Sequence, residues 1–363
     1  GNGAWAGSIA YPAMATALAA GFATASTDTG HVGGAGDFMI GHPEKLVDFG
    51  YRAVHEMTVA AKATIAGYYG KAPSKSYWNG CSTGGRQAFM EAQKYPEDYD
   101  GILAGAPAIY ASHLQAMQVW AWTMSHPQGN ATLPAAKLPA IHKAALEVCD
   151  AADGVKDGVI ENPLKCKFDP ASIECKGAES DTCLTAPQVA VARNMYAGMK
   201  DATGKSLSAG VEPGSETGWN MLAGNRVSAL ADELYRNVVK ADAKWDSTTL
   251  GGKDVVDGEK MLASIMDAND PNIKPFLARG GKLLIYHGWA DPGVPPENTI
   301  AYYNRMRDTV GKQADDSVKL FLVPGMGHCR GGDGTDTFDG MAALAAWAEK
   351  NQAPARIEAS HAT

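Results

Sequence analysis

The sequence has no run of about 18 apolar residues, the length that a membrane-spanning helix needs. It also has no internal repeat and no low-complexity tract, which excludes solenoid and fibrous architectures. Hydrophobic residues nevertheless make up 45% of its 363 residues, and a chain of this size can bury a large core. These features predict a globular protein with one large domain, or with a core domain and an insertion.

Positive charge is also scarce in this chain. There are 32 Lys and Arg residues against 40 Asp and Glu residues, which gives a formal net charge of −8. Nucleic-acid-binding proteins carry a basic stripe or patch, and none is visible here. We therefore expect no nucleic-acid partner. We also expect no membrane partner and no organic cofactor.

Cysteine is infrequent, but its number is even and its spacing is informative. An even count with two closely spaced pairs favours disulfide bonds. Zinc binding is one alternative, although no pair has the C-x₂₋₄-C spacing beside histidines, and free buried thiols are another. Disulfides form in oxidising compartments, so we expect a secreted or periplasmic protein. The six residues are Cys81, Cys149, Cys166, Cys175, Cys183 and Cys329.

Short apolar segments alternate with helical patterns near both ends of the chain. This alternation is typical of an α/β fold in which helices cover a mostly parallel sheet. Because the chain opens at Gly1 on core-like sequence, we expect the natural protein to begin further upstream. The predicted strands are residues 23–27, 75–79, 101–105, 282–286 and 318–323, and the predicted helices are residues 51–69, 86–94, 296–307 and 339–347.

The alternation stops between about residues 107 and 272. This stretch contains four of the six cysteines, many Gly and Asp residues and short mixed helical patterns. It is typical of a domain inserted into a sheet-containing core. We therefore predict a catalytic domain formed by residues 1–106 and 273–363, with residues 107–272 as a lid domain.

Residues 80–84 read Gly-Cys-Ser-Thr-Gly and lie between a predicted strand and a predicted helix. A G-x-S-x-G motif in that context is typical of a nucleophile elbow, a sharp turn that exposes the serine and aims the helix N-terminus at it. Glycines flank the serine because the turn leaves no room for side chains. We therefore predict that Ser82 is a catalytic nucleophile.

An acid and a histidine should follow in that order, each after a strand of the sheet. Asp291 follows the predicted strand 282–286, and His328 follows the predicted strand 318–323. In such a triad the histidine removes the serine proton and the aspartate orients the imidazole. His287 lies close to the acid, and we interpret it as structural.

The positions of Cys81 and Cys329 support the same triad. Cys81 directly precedes Ser82, and Cys329 directly follows His328. If these two cysteines bond to each other, their Cα atoms lie roughly 5.5–6 Å apart. The serine and the histidine would then be held side by side.

A serine hydrolase also needs hydrogen-bond donors for the oxyanion that forms during the reaction. The backbone N–H of Thr83, directly after the nucleophile, is one candidate. The glycine-rich segment at residues 1–7 offers a second, and we choose Gly3. An ordinary turn is the alternative interpretation of that segment.

Residues 149–159 form an acidic loop, with three carboxylates within eight positions. Hard oxygen ligands at this density suit Ca²⁺, with backbone carbonyls completing the coordination. The spacing differs from that of an EF-hand, and a solvated pair of Asp-Gly turns is the alternative. The predicted ligands are the side chains of Asp150, Asp153 and Asp157 and the carbonyls of Val155 and Val159.

Taken together, these motifs resemble the tannase and feruloyl esterase family. The resemblance rests on residues 80–86, the Asp291 segment, the His328-Cys329 pair, residues 99–107 and the acidic loop, and it extends over nearly the whole chain. It implies an α/β-hydrolase core with a large inserted lid and structural calcium in that lid. It also implies the disulfides Cys81–Cys329, Cys149–Cys166 and Cys175–Cys183.

The resemblance further implies esters of aromatic acids as substrates. We expect a carboxylic ester hydrolase for feruloyl or other hydroxycinnamoyl esters, with galloyl esters and mono(2-hydroxyethyl) terephthalate as alternatives. A serine peptidase or amidase, and an inactive binding protein, are further alternatives. Trp245 in the lid and Val294 after the acid are candidate substrate-binding residues, although a buried tryptophan more often belongs to a core.

Overall fold

The computed structural model of the protein describes residues 1–126 and 132–361. At its centre is a parallel sheet of four strands in the order β1-β2-β5-β6. The other strands form two short antiparallel pairs, β3 with β4 and β7 with β8. The strands are β1 Tyr77–Cys81, β2 Gly101–Gly105, β3 Met199–Lys200, β4 Ser206–Ser208, β5 Lys282–Gly288, β6 Val318–Val323, β7 Thr337–Phe338 and β8 Ala359–Ser360.

Helices cover both faces of the central sheet and form most of the segment between β2 and β5. The described residues contain fourteen α-helices, together with short 3₁₀ turns and two π-helical turns. The helices are α1 Tyr11–Ala19, α2 Pro43–Val47, α3 Ala53–Tyr69, α4 Thr83–Lys94, α5 Ala111–Ser125, α6 Leu138–Cys149, α7 Ala186–Ala197, α8 Asn220–Ala223, α9 Ala229–Leu234, α10 Gly252–Leu262, α11 Lys274–Ala278, α12 Pro296–Val310, α13 Gln313–Ser317 and α14 Gly340–Lys350.

Alternating side chains on the strands separate two apolar layers. Leu283 and Ile285 of β5 pack with Phe89 of α4 on one face. Leu284, between them, packs on the other face with Trp347 of α14. Since successive strand residues point to opposite faces, a strand that is covered on both sides must be apolar throughout. All four strands run in the same direction, so their carboxyl ends meet at one edge of the sheet.

The segment between β2 and β5 has an apolar cluster of its own. Leu114, Met117 and Trp219 are buried in it, and Val294 from the loop after β5 packs against the same cluster. Phe276 of α11, by contrast, is buried with the sheet. The predicted limits of the lid, residues 107 and 272, fall in loops that flank this segment, and the division into two domains stays a prediction.

The predicted α/β class is confirmed, and four of the five predicted strands are present with boundaries that shift by up to two residues. The prediction of a strand at residues 23–27 is wrong. This stretch forms no ladder; the carbonyl of Thr27 instead accepts a hydrogen bond from the side chain of Asn2. A strand needs a neighbouring strand as its hydrogen-bond partner, and a local sequence pattern does not reveal whether one is there.

Three disulfide bonds link the six cysteines, and no described cysteine is free. Cys81 bonds to Cys329 across 248 positions with Cα atoms 6.0 Å apart. Cys149–Cys166 and Cys175–Cys183 close short loops within the inserted segment. Across residues 1–126 and 132–361, none of the helices has the length and apolar character required to span a bilayer.

Candidate active site

Ser82 occupies a sharp turn between β1 and α4. Its φ of 63° is positive, a strained value that non-glycine residues adopt mainly at functional sites. The turn is tight because a Cβ atom at Gly80 would lie 2.5 Å from the carbonyl oxygen of Gly84, and one at Gly85 would lie 2.3 Å from that of Gly105. The turn is shorter than the predicted one, since β1 extends through Cys81 and α4 begins at Thr83.

The side chains of Ser82, His328 and Asp291 lie within hydrogen-bond distance of one another, although they are far apart in the sequence. The hydroxyl of Ser82 lies 2.8 Å from Nε2 of His328. Nδ1 of His328 lies 2.7 Å from Oδ2 of Asp291. An ionised carboxylate can only accept hydrogen bonds, so Nδ1 carries a proton and Nε2 is left to accept the serine proton.

Asp291 is fully buried and is held by backbone donors. The N–H groups of Gly293 and Val294 donate to its Oδ1 at 2.8 and 3.0 Å. Burial alone would raise the pKa of this carboxyl, but the neighbouring His328 and His287 lower the pKa to about 2. Asp291 is therefore ionised at any pH at which the protein would work.

The pKa of His328 is shifted by two opposing effects. Burial lowers the pKa, and the charge and hydrogen bond of Asp291 raise it by more, so that the pKa lies above its ordinary value. Stabilisation of the imidazolium by the aspartate is what a general base needs while it holds a proton. The imidazole ring is mostly buried, with 22% of the side chain exposed.

The predicted oxyanion donors lie on neighbouring segments. Thr83 is the first residue of α4, and the first N–H groups of a helix have no partner within the helix. The hydroxyl of Thr83 donates to the carbonyl of Ala4 at 3.2 Å, next to Gly3, which is exposed. The structure therefore places Gly3 beside the start of α4, and the oxyanion role of both residues stays a prediction.

The acidic loop satisfies many of its own hydrogen bonds. Buried Asp150 accepts from the N–H groups of Asp157 and Gly158, while Asp153 and Asp157 each accept from the residue two positions later. No group of three His, Cys, Asp or Glu side chains converges as a metal site within the described residues. The donor chemistry suits calcium, but the side chains are not gathered around a common point.

The acidic loop also lies close to the loop that carries His328, although the two are distant in sequence. The side chain of Val159 lies 3.0 Å from the position that a Cβ atom would take on Gly325. A small cavity between them is lined by both segments and by Trp289 after β5. The contact depends on how the inserted segment folds back, so nothing in the local sequence indicates it.

The two candidate substrate-binding residues both pack in the apolar cluster of the inserted segment. Trp245 is half-buried and stacks on Tyr235 with ring centroids 6.0 Å apart. Val294 is buried, and its backbone bonds to Asp291 and His287. Each contributes to packing or to the acid loop in the described structure, and a role in substrate binding stays a prediction for both.

Sequence reasoning did not find Gln118, which supports the loop that carries Asp291, and it interpreted His287 near the acid as structural. Gln118 of α5 donates from Nε2 to the carbonyl of Gly293 at 3.1 Å, which ties the inserted segment to the turn behind Asp291. His287 contacts Asp291 directly at 3.2 Å. The four-residue spacing of His287 and Asp291 indicated that the two lie close together, whereas nothing in the sequence indicated the contact of Gln118.

Comparison with known proteins places this geometry in context. A family model described as tannase and feruloyl esterase matches residues 1–363. The chain is 38% identical to an uncharacterised esterase of Xanthomonas campestris pv. campestris, over 99% of the chain and 71% of that protein. It is 37% identical to a protein named probable feruloyl esterase B-2 from Aspergillus terreus, over 98% of the chain and 72% of the relative.

Solved structures give the same picture. The chain is similar to the crystal structure of feruloyl esterase B from Aspergillus oryzae, with a TM-score of 0.93 and 31% identity over 97% of the chain and 75% of that protein. An esterase from the same organism matches with a TM-score of 0.94 and 33% identity, over 99% of the chain and 75% of that esterase. Tannin acyl hydrolase from Aspergillus niger has a TM-score of 0.84 at 24% identity, over 99% and 74% of the two chains, a likeness of fold.

Proposed function

The chain belongs to the tannase and feruloyl esterase family and is a carboxylic ester hydrolase, and from this premise we propose that Ser82, His328 and Asp291 are its catalytic triad. The observation that carries the proposal is the continuous set of hydrogen bonds, 2.8 Å from Ser82 to His328 and 2.7 Å from His328 to Asp291. The strained backbone of Ser82 at the end of β1 supports the same role.

In the proposed reaction Oγ of Ser82 attacks the ester carbonyl carbon while Nε2 of His328 takes the hydroxyl proton. The negative charge that forms on the carbonyl oxygen is stabilised by the N–H groups of Thr83 and Gly3. His328 then gives its proton to the departing alcohol, which leaves an acyl group on Ser82. Water attacks this acyl group by the reverse proton transfer and releases the carboxylic acid and the free serine.

The proposed substrates are aromatic acyl esters of the feruloyl and hydroxycinnamoyl type. This part of the proposal is supported by the names of the relatives, and galloyl esters and mono(2-hydroxyethyl) terephthalate are the alternatives. We propose residues 107–272 as a lid that supplies the acyl pocket, since a planar ring needs apolar walls with a few polar anchors.

The test is initial-rate hydrolysis of methyl ferulate, methyl gallate and mono(2-hydroxyethyl) terephthalate by the purified protein and by Ser82→Ala. We expect one ester to be hydrolysed and the variant to lose nearly all of that activity, by a factor of about 10⁵ or more. Retained activity in a folded Ser82→Ala protein would remove Ser82 as the nucleophile. A para-nitroanilide substrate, run in parallel, separates an esterase from an amidase.

We also propose that the acidic loop binds a structural calcium ion when it is supplied. Asp150, Asp153 and Asp157 would contribute carboxylate oxygens, and Val155 and Val159 would contribute carbonyls, after the loop rearranges. The disulfide Cys149–Cys166 encloses this loop, which limits how far it can open. The ion would stabilise the loop and the neighbouring Gly325 segment and takes no part in the chemistry.

The proposed location is outside the cytoplasm, in the periplasm or secreted. Three disulfides in the described structure support this location, because disulfides persist mainly in oxidising compartments.

A further inference from the structure

His287 is a buried histidine that contacts the proposed catalytic acid. It lies on β5, four residues before Asp291, and has no exposed surface. Its Nε2 lies 2.8 Å from the carbonyl oxygen of Val294 and 3.2 Å from Oδ2 of Asp291. Its Nδ1 lies 2.9 Å from the hydroxyl oxygen of Thr299 on α12. The ring of His287 therefore contacts Asp291, the turn that follows Asp291 and helix α12.

These contacts determine where the proton of His287 lies. A carbonyl oxygen can only accept a hydrogen bond, so Nε2 facing Val294 must carry the proton. The hydroxyl of Thr299 can donate a hydrogen bond to Nδ1. The bonding partners thus assign a proton to Nε2.

With that proton on Nε2, each oxygen of Asp291 faces two donors. Oδ1 accepts from the N–H groups of Gly293 and Val294. Oδ2 accepts from His328 and from the same Nε2–H of His287 that also faces Val294. Rotation of the carboxylate would break several of these bonds at once, so its plane is fixed. His287 is the one side chain, besides His328, that bonds to Asp291 within the described residues.

We infer that His287 is a positioning residue for ester hydrolysis, whose Nε2–H group holds the Asp291 carboxylate and the Val294 turn so that Oδ2 faces His328. The inference rests on the proposed triad. A residue that only filled space at this site could be replaced by another of similar size, whereas a hydrogen-bond donor could be replaced only by another donor.

The test compares His287→Leu, which removes the donor, with His287→Gln, which keeps an N–H donor of similar reach. The substrate is para-nitrophenyl acetate, a general activated ester. We expect kcat of the Leu variant to fall about 100-fold because a misplaced acid misorients the base, while KM stays within about twofold. The kcat of the Gln variant should be about tenfold higher than that of the Leu variant.

Two controls separate the possible results. His55→Leu removes a partly buried histidine outside the proposed triad and lid, whose Nδ1 lies 2.6 Å from Oδ2 of Asp98, and it should keep kcat near the wild-type value. Ser82→Ala reports on the proposed triad itself, and activity in that variant would overturn the proposed function independently of His287. If Ser82→Ala is inactive, a wild-type kcat in His287→Leu would overturn the inference. Equal losses in the two His287 variants, or a similar loss in His55→Leu, would also overturn it.

A measurement on the wild-type protein covers the case in which the Leu variant does not fold. In protein labelled with ¹⁵N at histidine, the signals of His287 should show that Nε2 carries a proton. A ring whose only proton is on Nδ1 would contradict the assignment.

Discussion

Glu91 is an acidic side chain enclosed by the core on helix α4. It is 1% exposed, and neither of its carboxylate oxygens has a hydrogen-bond partner among the described residues. Burial, followed by the negative charge of nearby Asp98, raises its pKa from 4.5 to about 9. At neutral pH the side chain is therefore protonated in the folded protein and ionised in the unfolded chain.

This difference predicts how Glu91→Gln changes stability with pH. Because the folded pKa is raised, the wild-type protein loses stability as pH rises from about 4.5 towards about 9. Glutamine has a similar shape and cannot ionise. We expect the Tm of the variant, relative to wild type, to be higher near pH 8 than near pH 4.5 by about 2–6 °C, as measured by thermal unfolding.

Glu97→Gln is the matched control, because it makes the same chemical change at an exposed position of the same region. Its Tm relative to wild type should be independent of pH. A Glu91→Gln effect of equal size at both pH values would show that the buried carboxyl ionises normally.

The Cys81–Cys329 bond joins the end of β1 to the loop after β6. The bond spans 248 positions and places Ser82 and His328 next to its two ends. In the chain-entropy account, a disulfide stabilises the fold more when it closes a longer loop. The same bond restricts the position of His328 relative to Ser82, so we expect it to serve both stability and the geometry of the proposed triad.

Replacing Cys81 and Cys329 together by alanine should therefore affect both properties. We expect a loss of about 5–6 kcal/mol in the free energy of unfolding, measured by chemical denaturation, and a lower kcat. The pair Cys175 and Cys183, separated by 8 positions, is the control and should cost about 2–3 kcal/mol with no change in kcat. Unchanged kcat without the first bond would contradict its geometric role.

The acidic loop is the element on which the calcium proposal is tested. Protein loaded with calcium should lose several degrees of Tm, about 2–6 °C, when a chelator is added, because an ion bound only to the folded state stabilises it. Asp153→Asn combined with Asp157→Asn should remove this response. A chelator that leaves the Tm of the wild-type protein unchanged would refute the calcium site.

At the scale of the whole molecule, His142 connects the inserted segment to the loop that carries His328. His142 lies on α6. Its Nδ1 lies 2.9 Å from Oε2 of Glu216, which is buried in the inserted segment. Its Nε2 lies 3.3 Å from Asp333, five residues after His328. Hydrogen bonds with Asp333 and Glu216 raise the pKa of His142 from 6.5 to about 9. The imidazole of His142, which bridges Glu216 and Asp333, is therefore positively charged at neutral pH.

The raised pKa fixes the direction of a pH effect. Stability from this bridge is fully present below about pH 6.5 and is lost as pH rises through about 9. His142→Gln should thus lower the stability near pH 6 by about 1–2 kcal/mol, allowing for solvent screening at the half-exposed Asp333. Near pH 10 the variant and the wild type should differ little. Thermal unfolding at both pH values measures this, and a difference that does not change with pH would contradict the bridge.

The sequence by itself was sufficient for the α/β class, for four strands of the sheet and for the chain order of Ser82, Asp291 and His328. These features depend on local constraints, because strand periodicity and the glycines around Ser82 leave their pattern within a few neighbouring residues. The strand predicted at residues 23–27 shows where this reasoning stops, since an extended segment becomes a strand only if another strand lies beside it.

Only the tertiary structure decided which distant groups support the site. Gln118 reaches Gly293 and His142 reaches Asp333 across 175 and 191 positions respectively, and Val159 packs against the Gly325 turn. Even for His287, four residues from Asp291, the direction of Nε2 became clear from its distances to Val294 and Thr299. These contacts are set by how the inserted segment and the loops pack together, and packing between distant segments leaves no local pattern in a single sequence.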